Sequence, residues 1–211
     1  MDVNKMQRRA NFAKALCKIL NKHVEGQLVV AGGLVRDLWA AQVKGVDMQG
    51  SGDIDLLLIG NHEGNLQELA ESLLDTLELE DLVVDIVLTK VDYSYEQSEA
   101  YPDADDRLYG VMQFRVEMED GEQVEIDILD YAPHIETLQD ALDTFNCNVN
   151  KFWFDEHGNG CSLFDGSQPF EYREGDREKN EERYEKCVMR YNLVAKAAHP
   201  YQRIDDTPLL V

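Results

Sequence analysis

Between Val29 and Leu58 the apolar pattern of the chain changes period twice, which restricts it to folds that place a strand, a helix and a second strand in immediate succession. A β-branched run ends in Gly32-Gly33 and passes straight into Leu34 to Ala41, where Val35, Leu38, Trp39 and Ala41 recur at helical spacing. The glycine turn therefore sets backbone N–H groups at a helix N-terminus, which is an anion seat. After a polar run, Asp53-Ile54-Asp55 heads a second apolar run, Leu56 to Ile59. Alternate residues of a strand share a face, so the two carboxylates point the same way. Side-by-side carboxylates repel unless something positive sits between them, and a pair of divalent ions is the usual answer in phosphoryl-transfer sites. A phosphate seat beside a metal pair points to nucleotide chemistry. Each piece also has a plain structural reading, a tight turn in one case and a solvated strand edge in the other.

A later hairpin carries the same theme. Met112, Phe114, Val116 and Met118, then Val124, Ile126 and Ile128, make two period-two strands with one buried face. A two-residue Asp120-Gly121 loop would set Met118 beside Gln123 and mismatch the faces. A three-residue loop, Glu119-Asp120-Gly121 with Gly121 left-handed, pairs Val116 with Val124 and Phe114 with Ile126. On the other face Arg115 then lies opposite Glu125, and Gln113 opposite Asp127. Glu125 has a cross-strand cation and Asp127 only a neutral neighbour, so Asp127 is the better third metal ligand. A polar sheet face open to water is the alternative.

The first motifs, Gly32-Gly33-Leu34-Val35-Arg36-Asp37 and Asp53-Ile54-Asp55, resemble the head domain of the class II CCA-adding enzymes and bacterial poly(A) polymerases, within the DNA polymerase β-like nucleotidyltransferase superfamily. The spacer between them is longer than that family usually shows, and Gly52 stands where a lysine is common. The resemblance implies transfer of a nucleoside monophosphate from an NTP to an acceptor hydroxyl. Asp53, Asp55 and Asp127 are then the catalytic carboxylates and hold two Mg²⁺, since superfamily members carry a third carboxylate on a later strand. Gly32 and Gly33 let backbone N–H groups approach the β- and γ-phosphates, and Arg36 braces the phosphates or pairs with an aspartate of the site. Ala141 to Asp155 looks like a worn copy of the family's R-R-D-F-T-x-N-A segment. Phe145 and Asn148 match, whereas Leu142, Asp143 and Thr144 replace the arginine pair and aspartate. Asn148 is a sugar or phosphate contact on this reading and a structural cap on the other.

Charge narrows the partners. With 42 acidic against 20 basic residues the net charge is −22, which disfavours an extended nucleic-acid surface because phosphate affinity rests on Lys and Arg. The acceptor is then the RNA 3′ end that the family resemblance favours, such as that of tRNA, or a small molecule or protein. A degenerate, non-catalytic acidic interaction protein is the third class. Cys17, Cys147, Cys161 and Cys187 show no paired metal spacing and read as reduced thiols. No signal-peptide core or membrane-length apolar run is present, so a cytoplasmic protein with no membrane partner is expected.

The remaining stretches give surface helices over residues 4 to 21 and Asn65 to Leu77, and strands over Gln27 to Ala31 and Leu82 to Leu88. A mobile loop is expected from Gln42 to Gly52, with Lys44 within reach of a triphosphate or simply solvated. Asp92 to Asp106 reads as an acidic loop whose tyrosines offer a weak alternative for base stacking. Lys151 to Phe164 reads as strand, turn and return strand. Residues 166 to 175 form a boundary, and Asp176 to Ala198 a long helix. On it Glu182, Lys186 and Arg190 only loosely follow the family's base-selecting E-D-x-x-R pattern, and a packed amphipathic helix is the alternative. The chain ends where the family continues into tRNA-gripping helical domains. The expected architecture is α+β: a nucleotidyltransferase-like mixed sheet with helices packed against it over residues 1–165, and a truncated neck-like helical appendage over 166–211.

Overall fold

A run of alternating apolar residues makes a strand with one greasy face, and this chain contains enough of them to build one broad sheet. The computed structural model describes residues 3–44, 53–61, 65–79, 82–93, 107–164, 171–173 and 202–204. In chain order these form α1 (Val3–Leu20), β1 (Gln27–Ala31), α2 (Gly33–Lys44), β2 (Asp53–Ile59), α3 (Leu66–Glu78), β3 (Asp85–Tyr93), β4 (Leu108–Glu117), β5 (Gln123–Tyr131), α4 (Leu138–Asp143), a 3₁₀ turn at Asn148–Asn150, β6 (Phe152–Phe154) and β7 (Gly160–Ser162). Seven strands join in the order β3-β4-β5-β2-β1-β6-β7. Only β2 and β5 run parallel in this sheet; the other pairs are antiparallel. Two further strands, β8 (Glu171–Arg173) and β9 (Gln202–Ile204), pair in parallel with each other. The protein is α+β, with a mixed sheet and helices packed against it.

The larger core lies on one sheet face. Ile54, Leu56 and Leu58 of β2 and Val124, Ile126 and Ile128 of β5 are buried there beneath the apolar stripes of α1, α2 and α3. Asn65 starts α3 by accepting from the N–H groups of Gln67 and Glu68 at 3.1 and 3.2 Å, which satisfies two donors that have no partner inside the helix. Among the described residues, the opposite face is covered over only part of its area. There Leu57, Ile59, Leu129 and Tyr131 meet Ile135 and the Ala141-Leu142 side of α4, a short helix closed by a Thr137–Asp140 capping box.

The β4–β5 hairpin adopts the register that its apolar faces require, with Val116 opposite Val124, Phe114 opposite Ile126, Arg115 opposite Glu125 and Gln113 opposite Asp127. Its loop is Glu119-Asp120-Gly121. The Met118 N–H donates to Glu122 O at 2.9 Å, and Gly121 has φ +77. Strand β3 corrects the expected Leu82 to Leu88: it begins at Asp85 and continues to Tyr93, with a register shift between Leu88 and Lys90 that breaks the period-two signal. Asp92 and Tyr93 therefore belong to a strand, while the rest of the expected acidic loop lies outside the described residues. So do the Gln42–Gly52 loop beyond Lys44, the long helix expected over Asp176 to Ala198 and most of the boundary before it. Among the described residues no helix is long and apolar enough to cross a membrane.

Candidate active site

The parallel β2–β5 pair sets Asp53 beside Glu125 and Asp55 beside Asp127. All four are odd-numbered and share the face opposite the larger core. Neighbouring strands lie about 4.8 Å apart, so the carboxylates form a two-by-two cluster on one pleated surface. Asp53 and Glu125 are exposed; Asp55 and Asp127 are half-buried.

Strand β1 closes the cluster on its other side. Ala31 pairs with Asp55, and the chain then turns through Gly32 into α2. Gly32 has φ +79, and a Cβ built on it would come within 2.6 Å of Asp55 Oδ2. Only glycine satisfies both the left-handed backbone and that approach. The first residue of α2, Gly33, gives its N–H to the Asp55 carboxylate, so the positive end of the helix faces a charge supplied by the protein itself.

The cluster is electrostatically loaded. Burial pushes the Asp55 carboxyl up to about 7, with repulsion from Asp127 and Asp53 acting in the same direction, against the Gly33 N–H and the charge of Arg36. Asp53 is raised as well, by burial and then by Asp127 and Glu125, with Arg9 opposing. At Asp53 and Asp55 burial and mutual repulsion outweigh the charges of Arg9 and Arg36.

The partners around the cluster differ in kind. Gln113 Nε2 donates to Asp127 Oδ1 at 3.0 Å, whereas Arg115 Nη2 lies 3.4 Å from Glu125 Oε1. Arg36 donates from Nε to Asp37 Oδ1 at 2.9 Å and from Nη1 to Asn150 Oδ1. Both bonds are internal to the protein, one to the next residue of α2 and one to the 3₁₀ turn. Asn148 opens the same 3₁₀ turn as Asn150, and its Oδ1 accepts from the Glu171 N–H at 3.2 Å. The structure thus gathers Asp53, Asp55, Asp127, Gly32 and Gly33 at one point with Arg36 beside them, and gives Asn148 a structural bond to β8.

Arg9 escapes a reading of the sequence. It lies in α1, whose pattern is that of a packed amphipathic helix, yet its guanidinium is buried in an ion pair with Glu122 at the hairpin and its charge reaches Asp53. The only advance signal was a cation at a position of the helix that faces the core. Lys44's side chain, Gly52 and the residues Glu182, Lys186 and Arg190 lie outside the described set.

Carboxylate oxygens are the donors that Mg²⁺ prefers, and the raised Asp55 and Asp53 mark a place where added positive charge is favourable, so the donor set suits a hard divalent ion. Among the described residues no three His, Cys, Asp or Glu side chains already close into a metal cage. In comparisons with known proteins, no family model and no curated protein matches this chain.

Proposed function

We propose that this chain is a metal-dependent nucleotidyltransferase that moves a nucleoside monophosphate from an NTP to an acceptor hydroxyl and releases pyrophosphate, on a head domain similar to those of class II CCA-adding enzymes and bacterial poly(A) polymerases. One observation carries the reading: the β2–β5 register sets Asp55 against Asp127 and Asp53 in the adjacent row, directly beside a Gly32-Gly33 turn into a helix. Asp53, Asp55 and Asp127 would hold two Mg²⁺, whose chemistry when bound is to acidify the attacking hydroxyl and to offset charge on the departing pyrophosphate. Gly32 leaves the room that Asp55 needs, Gly33 orients that carboxylate, and Arg36 lends it positive charge while anchored to Asp37 and Asn150. The appendage over 166–211, with a long helix from Asp176, belongs to the same reading.

The resemblance favours an RNA 3′ end as acceptor, and the net charge of −22 favours a small molecule or protein. A second reading, a non-catalytic acidic interaction protein on a degenerate head, draws on a specific observation. The Gly33 N–H, expected to meet phosphates, is given to Asp55 instead, and the Arg36 guanidinium is bonded to Asp37 and Asn150. One experiment separates them: the protein is incubated with Mg²⁺, each α-labelled NTP, and bulk RNA, protein or small-molecule acceptors. Transfer of label to any acceptor supports the enzyme and names its class. Absence of transfer, together with no thermal stabilisation by Mg²⁺ and NTP, supports the second reading.

A further inference from the structure

Strand β4 presents two chemically different side chains to the two carboxylates of β5. Opposite Glu125 stands Arg115, a cation 3.4 Å away, and opposite Asp127 stands Gln113, a neutral amide donating at 3.0 Å. These pairs lie side by side on one face. A guanidinium neutralises its carboxylate and repels a second cation arriving there. An amide N–H instead fixes one oxygen of the carboxylate and leaves its charge intact, which is how outer-shell partners orient metal ligands. The backbone beneath Gln113 is pinned as well: its carbonyl accepts from Thr89 Oγ1 at 2.9 Å, and the residue sits in the β4 ladder between β3 and β5. The donor therefore springs from a fixed root.

We propose that Gln113 is a positioning residue that presents Asp127 to a divalent cation, and that the order Gln113, Arg115 on β4 decides which of the two β5 carboxylates becomes the ligand. This rests on the two-metal reading of the site and adds to it the device that selects its third carboxylate.

Mn²⁺ binding to the full chain, measured by titration calorimetry and by the loss of the free-ion resonance signal, tests this without need of turnover. Gln113→Met, close in size but without a donor, is expected to weaken Mn²⁺ binding about 10–100-fold. Gln113→Leu also removes the donor without adding charge and is expected to weaken binding to the same extent; it carries the test if the Met variant fails to fold. Arg115→Met frees Glu125 of its cation and should leave Mn²⁺ affinity equal to or tighter than wild type, the opposite direction from Gln113→Met. Wild-type binding with unchanged affinity in both Gln113 variants overturns this proposal and leaves the two-metal reading standing. A loss in Arg115→Met equal to that in Gln113→Met also overturns it, because the effect is then general loosening of the sheet. Absence of any Mn²⁺ binding by the wild type overturns the metal site itself, and this proposal with it.

Discussion

One face of the sheet is divided between two uses, and the border runs between adjacent rows of the same strands. In one row Leu57, Leu129 and Val111 lie side by side and are buried with α4 among their cover; in the next, one pleat repeat along, stand Asp55, Asp127 and Gln113. Backbone geometry and strand pairing are the same in both rows. What differs is the side chains and what covers them: α4 and the segment before it close the apolar rows, while Asp53 and Glu125 at the far end are exposed. The covered row gives the strands a rigid footing, and the charged rows borrow that rigidity to hold like charges together.

The sharpest way to break this comparison is to alter one member of each row. Asp55→Asn or Asp127→Asn should lower turnover by roughly 10²–10³-fold or more, with the metal-free fold kept or slightly stabilised because crowding is relieved. Leu57→Ala should do the reverse, costing about 2–5 kcal/mol of stability while the folded fraction keeps its turnover. Rates normalised to the folded population, with denaturant melts, decide it, and a dead but stable Leu57→Ala would erase the border.

Gly32→Ala tests the edge of the charged row. The left-handed backbone alone costs a non-glycine residue about 1–2 kcal/mol, and the new Cβ would press on Asp55 Oδ2. Both stability and Mg²⁺-dependent stabilisation should fall. If the melting point drops while the Mg²⁺ increment survives in full, the glycine serves only its turn.

The pH dependence sharpens the electrostatic half of the contrast. Asp55 is raised from 3.8 to about 7 in the folded protein, so the unfolded chain gives up this proton first. Its contribution to stability is intact below about pH 4, is lost as pH rises towards 7, and changes by at most about 1.4 kcal/mol per pH unit. Subtracting the stability profile of Asp55→Asn from that of the wild type should reveal this slope, and Mg²⁺ should flatten it. A flat difference profile without metal would mean that the carboxylate is not crowded.

Glu125→Gln should have the smallest effect. Its exposed pair with Arg115 is worth about 1 kcal/mol or less, and turnover should change little. If this variant is inactive and Asp127→Asn is active, the ligand assignment on β5 is reversed.

Much of this arrangement could be read from the chain because the period-two pattern on each side of Gly121 allows only one register that matches the faces. That register alone puts Arg115 and Gln113 opposite Glu125 and Asp127. The pairing of β2 with β5 could not be read, since no local pattern names the partner of a strand, and it is this pairing that brings Asp127 to Asp55. Helix α4 is six residues long, too short to display a helical period, although Thr137 and Asp140 were a capping signal in plain view. For β3 the apolar pattern misleads, because Leu82 and Val83 pack against the core without joining the sheet and the irregularity after Leu88 hides the second half of the strand.

The β2–β5 pairing also has a kinetic consequence. The β4–β5 hairpin closes over three loop residues, a contact cheap in chain entropy, whereas residue 53 meets residue 125 only after α3, β3 and β4 have been looped out. Such distant pairings form late and limit the folding rate. Until they form, the carboxylates of β2 and β5 are far apart, so their repulsion is felt mainly on the native side of the barrier, where it hastens unfolding more than it slows folding. A cation bound between them would act on that same side and lengthen the lifetime of the folded state.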